Sequence, residues 1–346
     1  MSDYSIEYSE LAIPEPGDLT EVATGVYWIR MPVPFHPKHI NVYLLQDEKG
    51  WYIVDTGIGS QETRDCWQQI CDRMMQEKPL IGVIATHLHP DHLGLAGWLC
   101  DKYRASFYIS QREYLTARAL FKGNNREDNW ELIQFYHRCG LNEEQMEDFI
   151  KNTGSLSKIT APLPISYERL SEAQELIIGG RHWKIIISHG HSPEHACLYC
   201  PELNMLLSGD QILPKISPNI SVQSLEPNQS PLSEYLISME KFFDLPEDCL
   251  VLPSHGDPFY GLHSRLNQLK QGHHRDLEGL LEACEQPLRA VDTIEVIYKR
   301  ELKGIQFRLA MGEALAHLNH LWKQGLIRRD YDDEGCYRYQ KVSSEP

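Results

Sequence analysis

The stretch Thr86-His87-Leu88-His89-Pro90-Asp91-His92 constrains this chain more than any other. It places three histidines and one carboxylate within six consecutive residues. Just before it, Leu80-Ile81-Gly82-Val83-Ile84-Ala85 is a short apolar, β-branched run that reads as a buried strand. Pro90 breaks the strand register, and Gly94 precedes a helical pattern from Leu95 to Tyr103. A turn at the carboxyl end of a buried strand is where α/β folds place their chemistry. Four ligand-type groups in one turn cannot all reach a single ion. Alternation turns His87 and His89 to one side and Asp91 and His92 to another, an arrangement for two metal ions sharing a water. The bland alternative is a polar surface loop, but histidine this dense is rare without a metal to satisfy it.

From these residues the chain resembles the metallo-β-lactamase superfamily, whose signature runs His-x-His-x-Asp-His. Later stretches extend the resemblance in order. Asp55-Thr56-Gly57, closing the strand Trp51 to Val54, matches an Asp-x-Gly in which the aspartate orients a ligand histidine or a turn. Ser188-His189-Gly190-His191-Ser192-Pro193-Glu194-His195 resembles Thr-Pro-Gly-His-Ser/Thr-Pro-Gly-His. His189 stands where that pattern has proline, and Glu194 where it has glycine. His189 and His191 are both candidates by residue type; motif position selects His191, and it makes His195 a supporting residue rather than a ligand. Gly209-Asp210, after the strand Met205 to Ser208, resembles the bridging aspartate. Ser254-His255-Gly256-Asp257-Pro258, after Leu250 to Pro253, resembles the last ligand turn.

The resemblance spans about residues 19 to 265. It implies an α/β fold of four αββα layers with two divalent metal ions per chain. His87, His89 and His191 would hold one ion, Asp91, His92 and His255 the other, and Asp210 would bridge. Histidine and carboxylate ligands without cysteine suit zinc first, with iron or manganese also fitting. The implied activity is that of a dinuclear hydrolase in which a metal-bridging hydroxide attacks an ester, thioester or similar bond, with Asp91 as the catalytic residue that orients the nucleophile. The alternatives are a mononuclear iron enzyme like the persulfide dioxygenases, a nuclease or phosphodiesterase, and a non-catalytic ligand sensor.

The rest of the chain divides accordingly. Strands are expected over Val22 to Arg30, Ile40 to Gln46, Ser106 to Ser110, Tyr167 to Leu170, Glu175 to Ile178 and Trp183 to Ile187. A helix capped by Ser60 should run to about Glu77. Residues 1–265 form the catalytic domain. Within it, about 111–165 is a helical, aromatic-rich insertion that in related enzymes caps the active site, with its rings read mainly as core. Residues 266–346 form a C-terminal module: a long helix Leu262 to Cys284, amphipathic helices Thr293 to Leu302 and Phe307 to Gln324, then a hairpin. That outline is winged-helix-like, and several family members carry a similar module. His273-His274-Arg275 read as polar packing rather than extra ligands, and Tyr260 and His263 as structural residues near the last ligand.

The 33 basic against 49 acidic side chains give a net charge of −16. That disfavours nucleic acid, anionic membrane and polyanionic substrates, and the acidic hairpin Asp330 to Glu334 does so again. The expected partner is a small-molecule substrate, with the C-terminal module used for packing or as the seam of a homodimer. There is no apolar run of membrane-span length and no apolar signal core at the start. The nine cysteines are scattered, and Cys197 and Cys200 sit on a strand where their side chains face opposite ways. Reduced thiols in a cytoplasmic protein follow.

Overall fold

The computed structural model describes residues 5–121, 129–151 and 158–342. They fall into two compact units. The first comprises Met1–Asn124, Ser155–Pro218 and Met239–Leu266, and the second Asn125–Gly154, Asn219–Ser238 and Asn267–Pro346.

The first unit is built on two seven-stranded sheets. One holds β2 (Leu19–Ala23), β3 (Val26–Pro32), β4 (His39–Gln46), β5 (Trp51–Val54), β6 (Leu80–Ile84), β7 (Ser106–Ser110) and β8 (Glu168–Leu170), side by side in chain order. It is antiparallel from β2 to β5 and parallel from β5 to β8. The other sheet holds β1 (Glu7–Tyr8), β9 (Glu175–Ile178), β10 (Arg181–Ser188), β11 (His195–Cys200), β12 (Met205–Gly209), β13 (Leu250–Pro253) and β14 (Phe259–Tyr260), in the order β1-β14-β13-β12-β11-β10-β9. The reading of Val22 to Arg30 as one strand needs correction. The chain turns at Thr24-Gly25, Gly25 at φ 78°, and β2 pairs antiparallel with β3. A left-handed residue in a two-residue connection makes a hairpin where apolar patterning alone looks continuous.

Side-chain alternation explains the layering. In β4, Tyr43 and Leu45 face the second sheet, where they meet Trp183, Ile185, Leu198 and Leu207. Ile40, Val42 and Leu44 face the other way, onto helices. Those helices are α1 (Gln61–Met74), α2 (Pro90–Leu93), α3 (Ala96–Tyr103) and α4 (Gln111–Phe121). Trp67, Ile70, Leu99, Tyr114 and Ala117 carry their side of the core. A sheet covered on both faces needs strands that are apolar on both faces, as β5 and β6 are and as β4 is apart from Asn41 and its two ends. Ser60 caps α1, its Oγ accepting the Thr63 N–H at 3.1 Å. Ser60→Ala is expected to cost about 1 kcal/mol, read as a lower urea midpoint at unchanged slope.

The second unit contains α5 (Trp130–Arg138), α6 (Glu143–Lys151), α7 (Pro231–Glu240) as far as Ser238, α8 (Leu262–Ala283) from Asn267, α9 (Ile294–Tyr298), α10 (Gly304–Lys323) and the hairpin β15 (Ile327–Tyr331) and β16 (Tyr337–Lys341). The expected insertion is therefore shared, with α4 in the first unit and α5 and α6 in the second. The aromatic run 130–149 supplies core there: Tyr136 packs edge-on to Phe149 at 4.7 Å, and Phe149 edge-on to Phe307 at 5.5 Å. The helix expected to Leu302 stops at Tyr298, where Lys299 takes φ 51°. From Ala310 to Leu321, α10 is buried at every position but Glu313. It is the central helix of its unit rather than an amphipathic surface one.

Candidate metal centre

Strand ends position every group of the centre, and all of it lies in the first unit. β6 delivers the turn from Thr86 to Asp91 and the helix α2 that carries His92. The connection from β10 to β11 delivers His191, the end of β12 delivers Asp210, and the end of β13 delivers His255. The seven side chains named from the sequence come together in two sets whose ligand atoms lie within 4.8 Å of one another: His87, His89, His191 and Asp210, and Asp91, His92 and His255.

In the first set, His87 Nε2 is 2.8 Å from His89 Nδ1 and 3.2 Å from His191 Nε2. Thr86 Oγ1 donates to Asp55 Oδ2 at 2.8 Å, so it accepts from His87 Nδ1 at 3.0 Å. That tautomer leaves the lone pair of His87 Nε2 facing the cluster. Burial and the neighbouring imidazoles hold His87 well below the ordinary histidine range, and His89 falls to about 3 for the same reasons. Neutral imidazoles with converging lone pairs are what a divalent ion takes as ligands.

The second set is oriented from behind. His92 Nδ1 donates to Asp55 Oδ2 at 2.8 Å, and His255 Nδ1 donates to the His39 carbonyl at 3.0 Å. Both Nε2 atoms thereby face the carboxylates. His92 Nε2 lies 3.8 Å from Asp91 Oδ2 and 3.5 Å from Asp210 Oδ2, and His255 Nε2 lies 3.4 Å from Asp91 Oδ2 and 3.6 Å from Asp210 Oδ1. Burial works against a charge on either ring, but Asp210, Asp55 and Asp91 hold His92 well above its usual range, and Asp210 and Asp91 raise His255. Burial likewise opposes ionisation of Asp91 and Asp210, and the surrounding imidazoles overcome it, leaving both carboxyls below the carboxylate range. His92 Nε2 and Asp210 Oδ1 are buried without a hydrogen-bond partner. A buried nitrogen and a buried carboxylate oxygen left unpaired among these ligand-type groups fit a cation.

The remaining sequence candidates have other places. His195 is buried, and its Nε2 accepts the Asp210 N–H at 3.2 Å. Gly209 makes that approach possible: at φ +53°, its Cβ would sit 2.4 Å from His195 Nε2. His189 Nδ1 donates to the Pro193 carbonyl at 2.9 Å, outside both sets. Asp55, itself at φ 62°, serves Thr86 and His92 together. Tyr260 lies in the edge strand opposite Glu7, and His263 Nε2 donates to the Leu245 carbonyl at 2.8 Å. Cys197 and Cys200 are free and buried, as are the other cysteines.

Several positioning groups carry no motif. Asn41, fully buried within apolar β4, donates from Nδ2 to the carbonyls of Pro253 (2.8 Å) and Gly256 (2.6 Å), and Tyr43 OH donates to Pro253 (2.8 Å). These bonds pin the His255 turn across the two sheets. A lone Asn in an apolar strand was the available signal. Glu113, buried on α4, accepts the Leu88 N–H at 2.9 Å, the Ser192 hydroxyl at 2.7 Å and the Glu194 N–H at 2.6 Å.

Comparison with known proteins follows the same lines. The family model described as the metallo-beta-lactamase superfamily matches residues 37–255, and one described as the metallo-beta-lactamase-like C-terminal domain matches 277–342. The chain is 39% identical to a solved beta-lactamase domain protein from Burkholderia ambifaria, covering 97% of each chain with a TM-score of 0.89. It is 26% identical to a solved metallo-beta-lactamase family protein from Thermus thermophilus, covering 93% of this chain and 100% of that one, TM-score 0.78. Among curated relatives, the "Probable metallo-hydrolase YqjP" of Bacillus subtilis (strain 168) is 21% identical over 89% of this chain and 96% of its own. The human protein named acyl-coenzyme A thioesterase MBLAC2 is 23% identical over 68% of this chain and 79% of its own.

Proposed function

The chain is a metal-dependent hydrolase belonging to the metallo-β-lactamase superfamily, and we propose that it uses two divalent ions, zinc in the first instance, to cleave a small-molecule ester or thioester. The observation that carries this reading is the convergence of seven buried or half-buried His and Asp side chains on two adjoining spots, with His92 Nε2 and Asp210 Oδ1 left unpaired between them. His87, His89 and His191 would hold one ion and Asp91, His92 and His255 the other, with Asp210 touching both sets. Divalent ions held there supply Lewis-acid polarisation and a hydrolytic nucleophile from water near neutral pH. The chain's own groups do the rest. Asp55, Thr86 and the His39 carbonyl fix the imidazole tautomers. Asp91, kept ionised by His92 and His255, presents an oxygen that can accept a hydrogen bond from the attacking water and so orient it. The thioester half of the proposal leans on the bond cleaved by the protein named an acyl-coenzyme A thioesterase rather than on its coenzyme A carrier, because the net charge of −16 argues against polyanionic substrates and favours a short, uncharged acyl thioester or ester.

We read the helix-helix-hairpin of residues 294–341 as a winged-helix-like module used for packing or for pairing two copies. Its hairpin tip, with Asp330, Asp332, Asp333 and Glu334, is too acidic for a nucleic-acid reader. The free, buried thiols suit a reducing, cytoplasmic compartment. No described helix is long and apolar enough to cross a membrane.

Elemental analysis of protein purified without added metal or chelator tests the centre, together with a panel of ester, thioester and phosphodiester substrates. The expected result is about two ions per chain and turnover of a short acyl thioester or ester. One iron per chain with oxygen consumption would replace the hydrolase by sulfur oxidation, and a chain that stays metal-free after reconstitution would reject the centre.

A further inference from the structure

Two loops must keep a fixed distance for His87 and His89 to share a ligand position with His191, and a buried carboxylate joins them. Glu113 comes from α4, which starts directly after β7. Its Oε2 accepts the N–H of Leu88, between His87 and His89, and its Oε1 accepts the Ser192 hydroxyl and the Glu194 N–H, on either side of Pro193 in the loop that follows His191. Glu113 is fully buried, and these three donors satisfy its two oxygens.

Glu194 completes the joint from the other side. It stands where the resembling motif has glycine. Its Oε2 accepts the Arg112 N–H at 2.7 Å, at the first turn of α4, and its carbonyl accepts the Ser110 hydroxyl at 2.6 Å. The side chain that departs from the motif is thus used to lock the His191 loop onto the junction from which Glu113 projects. A direct link, Ala196 N–H to the Thr86 carbonyl at 2.8 Å, closes the frame beneath them.

We propose that Glu113 is a positioning residue for the ion held by His87, His89 and His191, setting the spacing between the two loops that supply them. The inference rests on the reading of the centre given under Proposed function. Glu113 touches none of the three imidazoles, so it acts through the backbone of Leu88 and through Ser192 and Glu194. Glu113→Gln keeps the size and one acceptor oxygen, but turns an amide N–H₂ toward either the Leu88 N–H or the Ser192 and Glu194 donors. One loop is then released.

The test is Co²⁺ titration of the chelator-stripped full chain against a competing chelator, following metal per chain and the visible cobalt spectrum, with Glu113→Gln, Glu113→Ala and Ala117→Gly compared. Ala117 is a buried core residue of α4, one turn beyond Glu113, that makes none of the joint's hydrogen bonds, so Ala117→Gly loosens the helix without cutting the link. Expected for both Glu113 variants is a folded chain whose affinity for one ion falls roughly ten- to a hundredfold, with an altered cobalt spectrum for that ion. The other ion should stay within about threefold, and Ala117→Gly should lower Tm with both affinities kept. Two ions bound by Glu113→Gln with unchanged affinity and spectrum would overturn the positioning role alone. So would Ala117→Gly weakening the same ion as much. An unsubstituted chain that binds no cobalt would reject the reading of the centre and this inference with it.

Discussion

Asp210→Ala is expected to lose metal from both sets of ligands at once, and to lower hydrolysis by roughly 10³-fold or more, about 4 kcal/mol at 1.36 kcal/mol per tenfold. Asp210 belongs to the first set and also lies beside two residues of the second. Its Oδ2 lies 3.5 Å from both His191 Nε2 and His92 Nε2, and its Oδ1 lies 3.6 Å from His255 Nε2. Two dications held a few ångströms apart repel each other, and an anionic oxygen reaching both offsets that repulsion, which no neutral ligand does. Removing a single imidazole takes one ligand from one ion, whereas removing Asp210 takes charge and a ligand from each. If the chain holds two ions as proposed, metal content should therefore fall from about two per chain to below one. Asp210→Asn, isosteric but uncharged, should keep the first ion more readily than the second, because three imidazoles remain for it. The fold should survive, since Gly209 and His195 hold the backbone here and Asp210 contributes only its N–H to that contact. Elemental analysis paired with thioester hydrolysis decides the matter. A folded Asp210→Ala chain with two ions and near-native turnover would show that the bridging role is wrong.

The candidate ligands are legible because each follows a strand's carboxyl end, either directly or through one short turn, in a local pattern that needs no knowledge of the partner. The parts that escape are those whose partners lie far along the chain. Asn41 reads as a polar blemish in Ile40-Asn41-Val42 until β4 is laid beside the 253–256 turn, more than two hundred residues away. Glu113 reads as an ordinary first-turn acid of a helix, and only tertiary contact makes it the acceptor for two loops. The His39 carbonyl, which sets the tautomer of His255, is a backbone group and leaves no trace in side-chain patterning.

The same reason separates the strands whose pattern suffices from the one whose pattern misleads. β5 and β6 are apolar on both faces and run into turns, so pattern and boundary agree. Between Leu19 and Pro32 the apolar pattern runs on through the hairpin, and the turn rests on Thr24-Gly25 alone. The motif departures cannot be interpreted from sequence either. Glu194, where the motif has glycine, places its carboxylate on an N–H of α4, and His189 stands clear of both ligand sets with its ring on the Pro193 carbonyl. The division of the 111–165 segment between two units follows from long-range packing of Phe149 on Phe307, to which local periodicity is blind.

Acidification from pH 7 to 4.5 is expected to loosen α8 and α10 through a pair of buried neutral histidines. His317 Nδ1 donates to the Glu313 carbonyl at 2.8 Å, so its Nε2 is an acceptor, and His273 Nδ1 lies 3.3 Å from it as the donor. His273 Nε2 then carries a buried lone pair with no partner. Protonating His273 would bury an unpaired N–H⁺, and protonating His317 would set two donors against each other. Burial and the neighbouring imidazoles accordingly push His273 down to about 3, and burial, against the Glu313 carbonyl, pushes His317 down to about 4. Tyr235 and His320 are the other titratable groups nearby, and neither supplies a negative charge near neutral pH. The sign follows from linkage. A histidine whose folded value lies below its ordinary 6.5 contributes stability that is whole above 6.5 and drains as pH falls toward the folded value. By pH 4.5 that is about 3 kcal/mol for each ring taken alone, an upper figure for the coupled pair. Glu313 runs the other way: burial raises its carboxyl to about 7, so its stability is whole below the ordinary 4.5 and drains as pH rises through 7. Across this window Glu313 cancels part of the histidine loss, and the variant difference isolates it. In His273→Leu, amide exchange on α10, corrected for the intrinsic pH dependence, should change roughly a hundredfold less between pH 7 and 4.5 than in the unsubstituted chain, since 1.36 kcal/mol is a factor of ten. Equal acid sensitivity in both would mean that the pair does not carry the effect, and greater protection of α10 at pH 4.5 in the unsubstituted chain would mean that Glu313 governs it.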